Sequence, residues 1–134
     1  MRSNNLKEFA MAYGEAWSSN DPSQVLALHS ESSRLSVNDA EPAVGKSEIR
    51  KIVEAFMRDF PDLYIQVNDV EVEERGIVFY CKAIATNSGP GGTGNKINIE
   101  IHEIWTFDEN GKFTEVRAYD DPEDFERQLN QSSS

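Results

Sequence analysis

The spacing of the apolar residues changes at Pro61, from the spacing of helices to that of strands, and this favours folds in which most helices come first and most strands follow. Before Pro61, apolar residues recur at steps of three and four, the spacing of amphipathic helices. After it they alternate with polar residues, as in strands with one buried face. Proline lacks the amide that a helix interior needs, so it marks where the last of these helices stops.

The part of the chain before this proline predicts three helices. The first covers about residues 5–19 and carries a single apolar stripe. The second is short and begins at Pro22, with Asp21 as its N-terminal cap. The third begins at a Ser47 cap and runs to the proline that ends it.

Four strands follow, over about residues 63–72, 77–86, 96–107 and 113–120. The alternation slips by one residue at 68–69, which predicts a bulge in the first of them. Asn110-Gly111 predicts a hairpin turn between the last two. A short additional strand is expected at 34–37, and a short last helix after Asp121.

Helices followed by a meander of antiparallel strands are typical of an α+β domain, with the helices on one face of a curved sheet. A length of 134 residues predicts one domain, which we place at residues 1–131. The serine-only segment 132–134 is expected to be a disordered tail.

The charge balance argues against two classes of partner. The formal net charge is −11, which opposes binding to a phosphate backbone or to an anionic membrane surface. Neither a secretory signal nor an apolar run approaching ~18 residues is visible. We therefore expect a cytoplasmic protein that binds neither nucleic acid nor membrane.

Metal, nucleotide and disulfide chemistry find no support in the sequence. Cys81 is the only cysteine, and His29 and His102 lack the spacing of metal ligands. The segment 89–94 matches G-x-G-x-x-G but precedes a strand, whereas the dinucleotide fingerprint opens a helix. We expect no metal and no cofactor.

Glu103 is the most informative residue of the chain. It falls on the apolar face of the third long strand, the face of Ile101 and Trp105. An isolated carboxylate inside a core is costly, so such a group pairs, forms hydrogen bonds or stays protonated. Two interpretations remain open: a pocket carboxyl group, or a structural one that reaches solvent or an arginine such as Arg34 or Arg50.

Two further residues bear on a site around Glu103. Tyr13 lies on the apolar stripe of its helix, where its hydroxyl needs a partner such as an inward Glu103. Asp120 points into the same cavity if Val116 and Ala118 face inward, which the alternation alone leaves undecided.

The second long strand has two apolar faces. Small residues on one face, including Cys81 and Ala83, leave room for close packing or for a ligand. The opposite face carries Val78, Tyr80 and Ile84, joined by the neighbouring strand's Ile104. A sheet face this apolar suggests a partner, and a homodimer through the outer sheet face is the simplest.

The order of elements resembles the nuclear transport factor 2-like superfamily, within it the SnoaL-like polyketide cyclases and the ketosteroid isomerases. The segments that carry the resemblance are 12–21, 44–50 and 107–115. It implies a cone-shaped barrel made of a curved antiparallel sheet, with three N-terminal helices packed on its concave face around an apolar pocket, in a homodimer.

The resemblance also implies roles for single residues. Tyr13 matches the isomerase tyrosine that donates to the substrate oxygen, and Glu103 matches the acid beside it, which in those isomerases stays protonated and donates as well. Asp120 lies near the acid/base aspartate of the cyclases. Val37 stands where the isomerases carry their base. The residues expected to bind substrate are Trp17, Phe56, Phe79, Cys81, Ala83, Ile101, Trp105 and Ala118.

Three functions follow from these residues. The first is a small-molecule enzyme that uses general acid/base catalysis on a hydrophobic carbonyl substrate, like a polyketide cyclase or a steroid isomerase. The second is a non-catalytic binder of a hydrophobic small molecule, which Val37 in place of a base favours. The third is a dimerising protein-interaction module of the same fold.

Overall fold

In the computed structural model, residues 3–131 are described, and they form four helices and six strands. The helices are α1 (Ser3–Ser18), α2 (Pro22–Leu26), α3 (Lys46–Asp59) and α4 (Pro122–Leu129). The strands are β1 (His29–Val37), β2 (Ala43–Val44), β3 (Tyr64–Glu73), β4 (Gly76–Thr86), β5 (Lys96–Phe107) and β6 (Phe113–Tyr119). The tail expected at 132–134 lies outside the described residues. No helix within residues 3–131 has the length and apolar character needed to cross a bilayer.

The short helices begin as the sequence predicts, but α3 does not. Asp21 caps α2 by accepting the amide of Ser23 at 3.0 Å, and Asp121 caps α4 in the same way. The expected Ser47 cap of α3 is wrong, because Gly45 holds the capping position without a side-chain bond. Gly45 has φ of +92°, so the turn into α3 depends on a backbone conformation that glycine adopts without strain.

The six strands form one curved sheet in the order β2-β1-β6-β5-β4-β3. The α+β class is confirmed. The sheet stays open, with β2 and β3 at its edges, and one neighbouring pair, β1 and β6, is parallel. Helix α1 packs against β3, and α3 packs against β1 and β2. The helices therefore cover the concave face of the open sheet.

The described strands contain three register irregularities, one of them between His29 and Arg34 of β1, and the other two bear on which side chains face the helices. The predicted bulge in β3 is present, between Val67 and Asp69. A second shift separates Thr106 and Phe107 of β5 along their pairing with β6. It leaves Phe113 fully buried on the same side as Val116, although strict alternation would place the two on opposite faces.

The convex face of the sheet exposes less apolar surface than its sequence suggests. Val78 and Ile104 are only 0% and 7% exposed within the single chain. The half-buried rings of Tyr80, His102 and Tyr119 lie beside each other on three paired strands of this face, with His102 stacked on Tyr119 at 5.1 Å.

Candidate functional site

A cavity of about 250 Å³ lies between the concave face of the sheet and helices α1, α3 and α4. Its wall is almost wholly apolar, and its two carboxyl groups are those of Glu103 and Asp120. The lining residues are Tyr13, Trp17, Leu35, Val37, Ile52, Phe56, Leu63, Ile65, Phe79, Cys81, Ala83, Ile99, Ile101, Glu103, Ala118, Tyr119, Asp120 and Phe125.

Glu103 lies in the middle of β5, where the wall of the cavity is aromatic, and it is 8% exposed. The hydroxyl of Tyr13 donates to its Oε1 at 2.7 Å. The indole Nε1 of Trp105 donates to the same oxygen at 3.0 Å. Tyr13 packs edge-on against Phe79 and Trp105, which fixes its ring.

Burial changes the acidity of both partners in this pair. It raises the pKa of the Glu103 carboxyl, although the hydrogen bonds from Trp105 and Tyr13 act in the opposite direction. Burial, with the charge of Glu103 in second place, raises the pKa of Tyr13 well above its ordinary value. Glu103 is therefore biased towards the neutral acid and Tyr13 towards the neutral phenol.

Within residues 3–131, neither arginine expected as a structural partner of Glu103 pairs with it. Arg50 instead lies 3.5 Å from Glu54, one turn further along α3, and the Arg34 side chain is exposed. The hydrogen bonds of Glu103 to described residues come from Tyr13 and Trp105.

Asp120 occupies the opposite setting, half-exposed at the end of β6. Asn38 contacts it twice: its amide Nδ2 donates to Asp120 Oδ1 at 2.6 Å, and its Oδ1 accepts the Asp120 backbone amide at 3.0 Å. Two contacts from one side chain fix both the carboxyl group and the backbone that carries it.

The turn that supplies Asn38 has an unusual backbone. Asn38 and Asp39 have φ values of +52° and +63°, the left-handed region that side chains other than glycine seldom enter. Asp39 accepts the Tyr119 hydroxyl at 2.7 Å, so this turn is tied to the end of β6 at two adjacent residues. Strain of this kind persists where the surroundings hold it in place.

Most of the predicted site residues line one cavity. Tyr13, Glu103 and Asp120 all do, together with seven of the eight residues expected to bind substrate. Trp105 does not: it lies behind Glu103, 2% exposed, with its indole N–H turned to the carboxyl group. Residues on one strand face share a direction, but the curvature of the sheet decides which of them reaches the cavity.

Several lining residues were missed by sequence reasoning. They include Leu35 and Val37 of β1, Ile52 of α3 and Phe125 of α4. The Asn38 clamp was missed as well. The sequence feature that could have indicated this turn is the Asn-Asp pair directly after an apolar strand, since Asn and Asp adopt positive φ more readily than other residues with side chains.

The two histidines lie outside the cavity wall. His29 is 2% exposed and its Nδ1 is 2.8 Å from the Ser33 hydroxyl. Burial, with the charge of Lys46 in second place, lowers the pKa of His29 to about 4. Within residues 3–131, no group of three or more His, Cys, Asp or Glu side chains is arranged to hold a metal ion.

Comparison with known proteins gives one family. The model of the SnoaL-like polyketide cyclase family matches residues 7–129 of this chain. No curated protein is similar enough to count as a match.

Solved structures share the fold at low sequence identity. One is a protein assigned as a SnoaL-like polyketide cyclase, from Jannaschia sp. CCS1: 17% identity, 96% of this chain and 93% of that chain covered, TM-score 0.81. A second is SalBIII, an epoxide hydrolase/cyclase-like enzyme of pyran ring formation in salinomycin: 13% identity, 92% and 97% covered, TM-score 0.77. A third, from Catenulispora acidiphila, has a ketosteroid isomerase-like fold: 9% identity, 91% and 92% covered, TM-score 0.77.

Proposed function

The chain belongs to the SnoaL-like polyketide cyclase family, and we propose that it is an enzyme that enolises a hydrophobic carbonyl compound by general acid/base catalysis. The observation that carries the proposal is one apolar cavity with two carboxyl groups in different surroundings. Glu103 is buried among rings, whereas Asp120 is half-exposed and held by an amide. Groups of one type whose environments separate their acidities can serve as acid and base at the same pH.

The two carboxyl groups divide the reaction between them. Neutral Glu103 donates a hydrogen bond to the carbonyl oxygen, which gains negative charge as the enol forms. Asp120, half-exposed at the end of β6, removes the proton from the adjacent carbon. The apolar wall around Glu103 excludes water, which strengthens its hydrogen bond to the substrate.

The cavity also restricts the substrate. At about 250 Å³ it lies just below the usual range of about 300–1,000 Å³ for small-molecule sites, which suits a compound of about two or three rings. The lining residues include no Lys, Arg or His. A carboxylate or phosphate on the buried part of the substrate would have no counter-charge there, so we expect that part to be uncharged.

The test uses enolisation itself, which needs no knowledge of the natural substrate. The bicyclic ketone 2-tetralone is incubated with the protein in D₂O, and deuterium uptake beside the carbonyl is followed by NMR. We expect uptake faster than in protein-free buffer, and a loss of about 10²–10⁴ of that acceleration in Asp120→Asn.

The matched control is Asp69→Asn, the same change on β3 outside the cavity wall, which should exchange at the wild-type rate. The proposal fails if 2-tetralone binds, as judged by quenching of Trp17 fluorescence, and deuterium uptake stays at the rate of buffer. It also fails if Asp120→Asn exchanges as fast as the control.

Binding without exchange would instead support the second candidate function, a carrier or sensor of a hydrophobic small molecule. One observation favours it: Val37, at the position of the isomerase base, lines the cavity and is 45% exposed. Because Val37 is apolar, Asp120 is the remaining carboxyl group at the open part of the cavity. A protein that only binds its ligand would need no catalytic base at either position.

A homodimer through the convex sheet face stays a proposal. With Val78 and Ile104 already buried inside the chain, the surface available for it is the aromatic row of Tyr80, His102 and Tyr119 with its neighbours. Light scattering on the purified protein measures the mass directly. A dimer that dissociates in Tyr119→Glu would support this interface, and a monomer would exclude it.

A further inference from the structure

Helix α4 contributes one residue, Phe125, to the wall of the cavity. Most of the sheet side of that wall is core: Phe79, Ala83 and Ile99 are at most 3% exposed. Phe125 instead belongs to a helix in which no residue is fully buried. Its ring packs edge-on against Phe60 at the end of α3, with centroids 6.1 Å apart. Phe125 therefore bounds the cavity from the periphery of the core.

Helix α4 lies along a stretch of β5 that has a strand on one side alone. The pairing of β5 with β6 ends at His102 and Tyr119. In the described part of the chain, residues 96–101 of β5 therefore pair only with β4. The edge of a strand carries amide and carbonyl groups that need partners. Helix α4 packs against β5 and provides partners at this edge.

The side chain of Gln128 provides two of these partners. Its Oε1 accepts the backbone amide of Asn98 at 2.7 Å, and its Nε2 donates to the Asn98 carbonyl oxygen at 3.1 Å. Because a backbone N–H only donates and a C=O only accepts, the two contacts fix which end of the side-chain amide carries the oxygen. The same Nε2 donates to Asp124, one turn earlier in the helix, at 2.9 Å.

These contacts place Phe125 against the cavity. Gln128 follows Phe125 by three residues, so the two side chains are neighbours on one face of the helix. A second contact attaches the end of the helix, since Asn95 Nδ2 donates to the Leu129 carbonyl oxygen at 2.7 Å. A helix attached to β5 in this way presents the Phe125 ring to the cavity.

We propose that Phe125 is a specificity-determining residue that limits the size of the ligand, and that Gln128 is a positioning residue that holds Phe125 in the wall by attaching α4 to the edge of β5. A ligand larger than the cavity has to displace part of the wall. Core side chains resist displacement because they are close-packed, whereas a helix without a buried residue is held by fewer apolar contacts. The inference rests on the ligand-binding part of the proposed function and not on catalysis.

Two ketones of different size test the assignment on the whole protein. 2-Tetralone has two rings and suits the cavity, whereas benzanthrone has four fused rings and exceeds it. Binding of 2-tetralone is followed by quenching of Trp17 fluorescence, and binding of benzanthrone by its own emission, which changes when the dye leaves water. The measured quantity is the ratio of the two dissociation constants, because a general loss of stability weakens both and leaves the ratio unchanged.

Replacing Phe125 should change this ratio. We expect the wild type to prefer 2-tetralone, and Phe125→Ala to shift the ratio towards benzanthrone by at least about tenfold, since even one methylene that misfits an apolar pocket changes discrimination by about 10–200-fold. Phe125→Leu should shift it in the same direction, and it decides if near-ultraviolet circular dichroism shows that Phe125→Ala does not fold. The matched control is Leu129→Ala, which removes an apolar side chain of the same helix outside the cavity wall and should keep the wild-type ratio.

Replacing Gln128 should act through the same ring. Gln128→Met keeps the length of the side chain and removes both hydrogen bonds to Asn98. We expect it to shift the ratio towards benzanthrone by about two- to tenfold, as the loss of one or two hydrogen bonds predicts. In Phe125→Ala the same change should add little, because the ring through which Gln128 acts is gone. Gln24→Met makes the same replacement at an exposed position of α2 and should leave the ratio unchanged.

Several results would overturn the proposal. Equal affinity of the wild type for the two ketones would mean that the wall does not limit ligand size. A ratio that Phe125→Ala leaves unchanged, or that Leu129→Ala shifts as far, would mean that the Phe125 ring is not the limit. Equal ratios in Gln128→Met and Gln24→Met would remove Gln128 as a positioning residue.

Two further results separate this proposal from the enzyme. If neither ketone binds to the wild type or to Phe125→Ala, the cavity does not accept such ligands and the proposal fails. The expected ratios in a protein that takes up no deuterium into 2-tetralone would keep Phe125 and Gln128 in their roles and reject the enzyme.

Discussion

Glu103 and Asp120 are carboxyl groups of one cavity, and they differ in almost everything that their surroundings supply. Glu103 lies mid-strand, where a helix covers the sheet, and two ring-borne donors fix it. Asp120 lies where β6 ends, in contact with solvent, and a turn with left-handed backbone holds it. The comparison shows that position along a strand, rather than residue type, sets the surroundings of a carboxyl group: the middle of the sheet excludes water and its end does not.

The largest difference we expect is in stability. Glu103→Leu leaves the Tyr13 hydroxyl and the Trp105 indole buried without acceptors, which should lower the free energy of unfolding by about 2–5 kcal/mol. Asp120→Ala removes a half-exposed group and should cost less than about 1.5 kcal/mol. Urea unfolding of both variants measures the difference. Glu103→Gln is the control, because its carbonyl oxygen can accept both donors, and it should lose no stability. Equal losses for Glu103→Leu and Asp120→Ala would contradict the contrast between the two sites.

The pH dependence of stability sharpens the same contrast. Because burial raises the pKa of Glu103, its neutral form is favoured in the folded state. Its contribution is fully present below the pKa of the unfolded chain, about 4.3, and is lost as the pH rises through the higher pKa of the folded state.

Glu103→Gln should therefore gain stability relative to the wild type as the pH rises above about 4.3, as measured by urea unfolding across a pH series. His29, with its pKa lowered to about 4, destabilises both proteins equally as the pH falls below about 6.5, and it cancels in the difference. A difference that stays flat with pH would show that Glu103 titrates normally.

The smallest effect concerns the turn that holds Asp120. Asn38→Gly keeps the left-handed backbone but removes the side chain that contacts Asp120 twice. We expect ketone exchange to fall about tenfold while ketone binding is kept, since the base is less well placed. Asn20→Gly makes the same change at another residue with positive φ, 59°, away from the cavity, and should have no effect on exchange. Equal rates in the two variants would mean that Asn38 does not position Asp120.

Much of this site follows from strand alternation. The inward face of β5, with Glu103 among apolar residues, is predicted directly from residues 96–107, because a period of two fixes the side to which each residue points. The bulge at 68–69 is visible in the same way, since it breaks that period. Alternation depends only on neighbouring residues. It is retained in the folded protein because a strand that is hydrogen-bonded on both sides cannot rotate about its own axis.

The rest depends on contacts between segments that are distant in sequence. Nothing near Trp105 indicates that its indole turns away from the cavity to bind Glu103. The Asn38–Asp120 contact joins residues 82 positions apart, across the parallel pairing of β1 with β6. Phe113 faces the core only because of a register shift against β5.

The sequence by itself determined the order of the helices and of the long strands, the inward carboxyl group and the apolar character of the wall, because hydrophobic period and turn chemistry act over a few residues. Only the tertiary structure decided which oxygen of Glu103 accepts hydrogen bonds, which aromatic residue supports it and how Asp120 is held. Those properties depend on distances of about 3 Å between chain segments, and such distances are set by the curvature and register of the whole sheet.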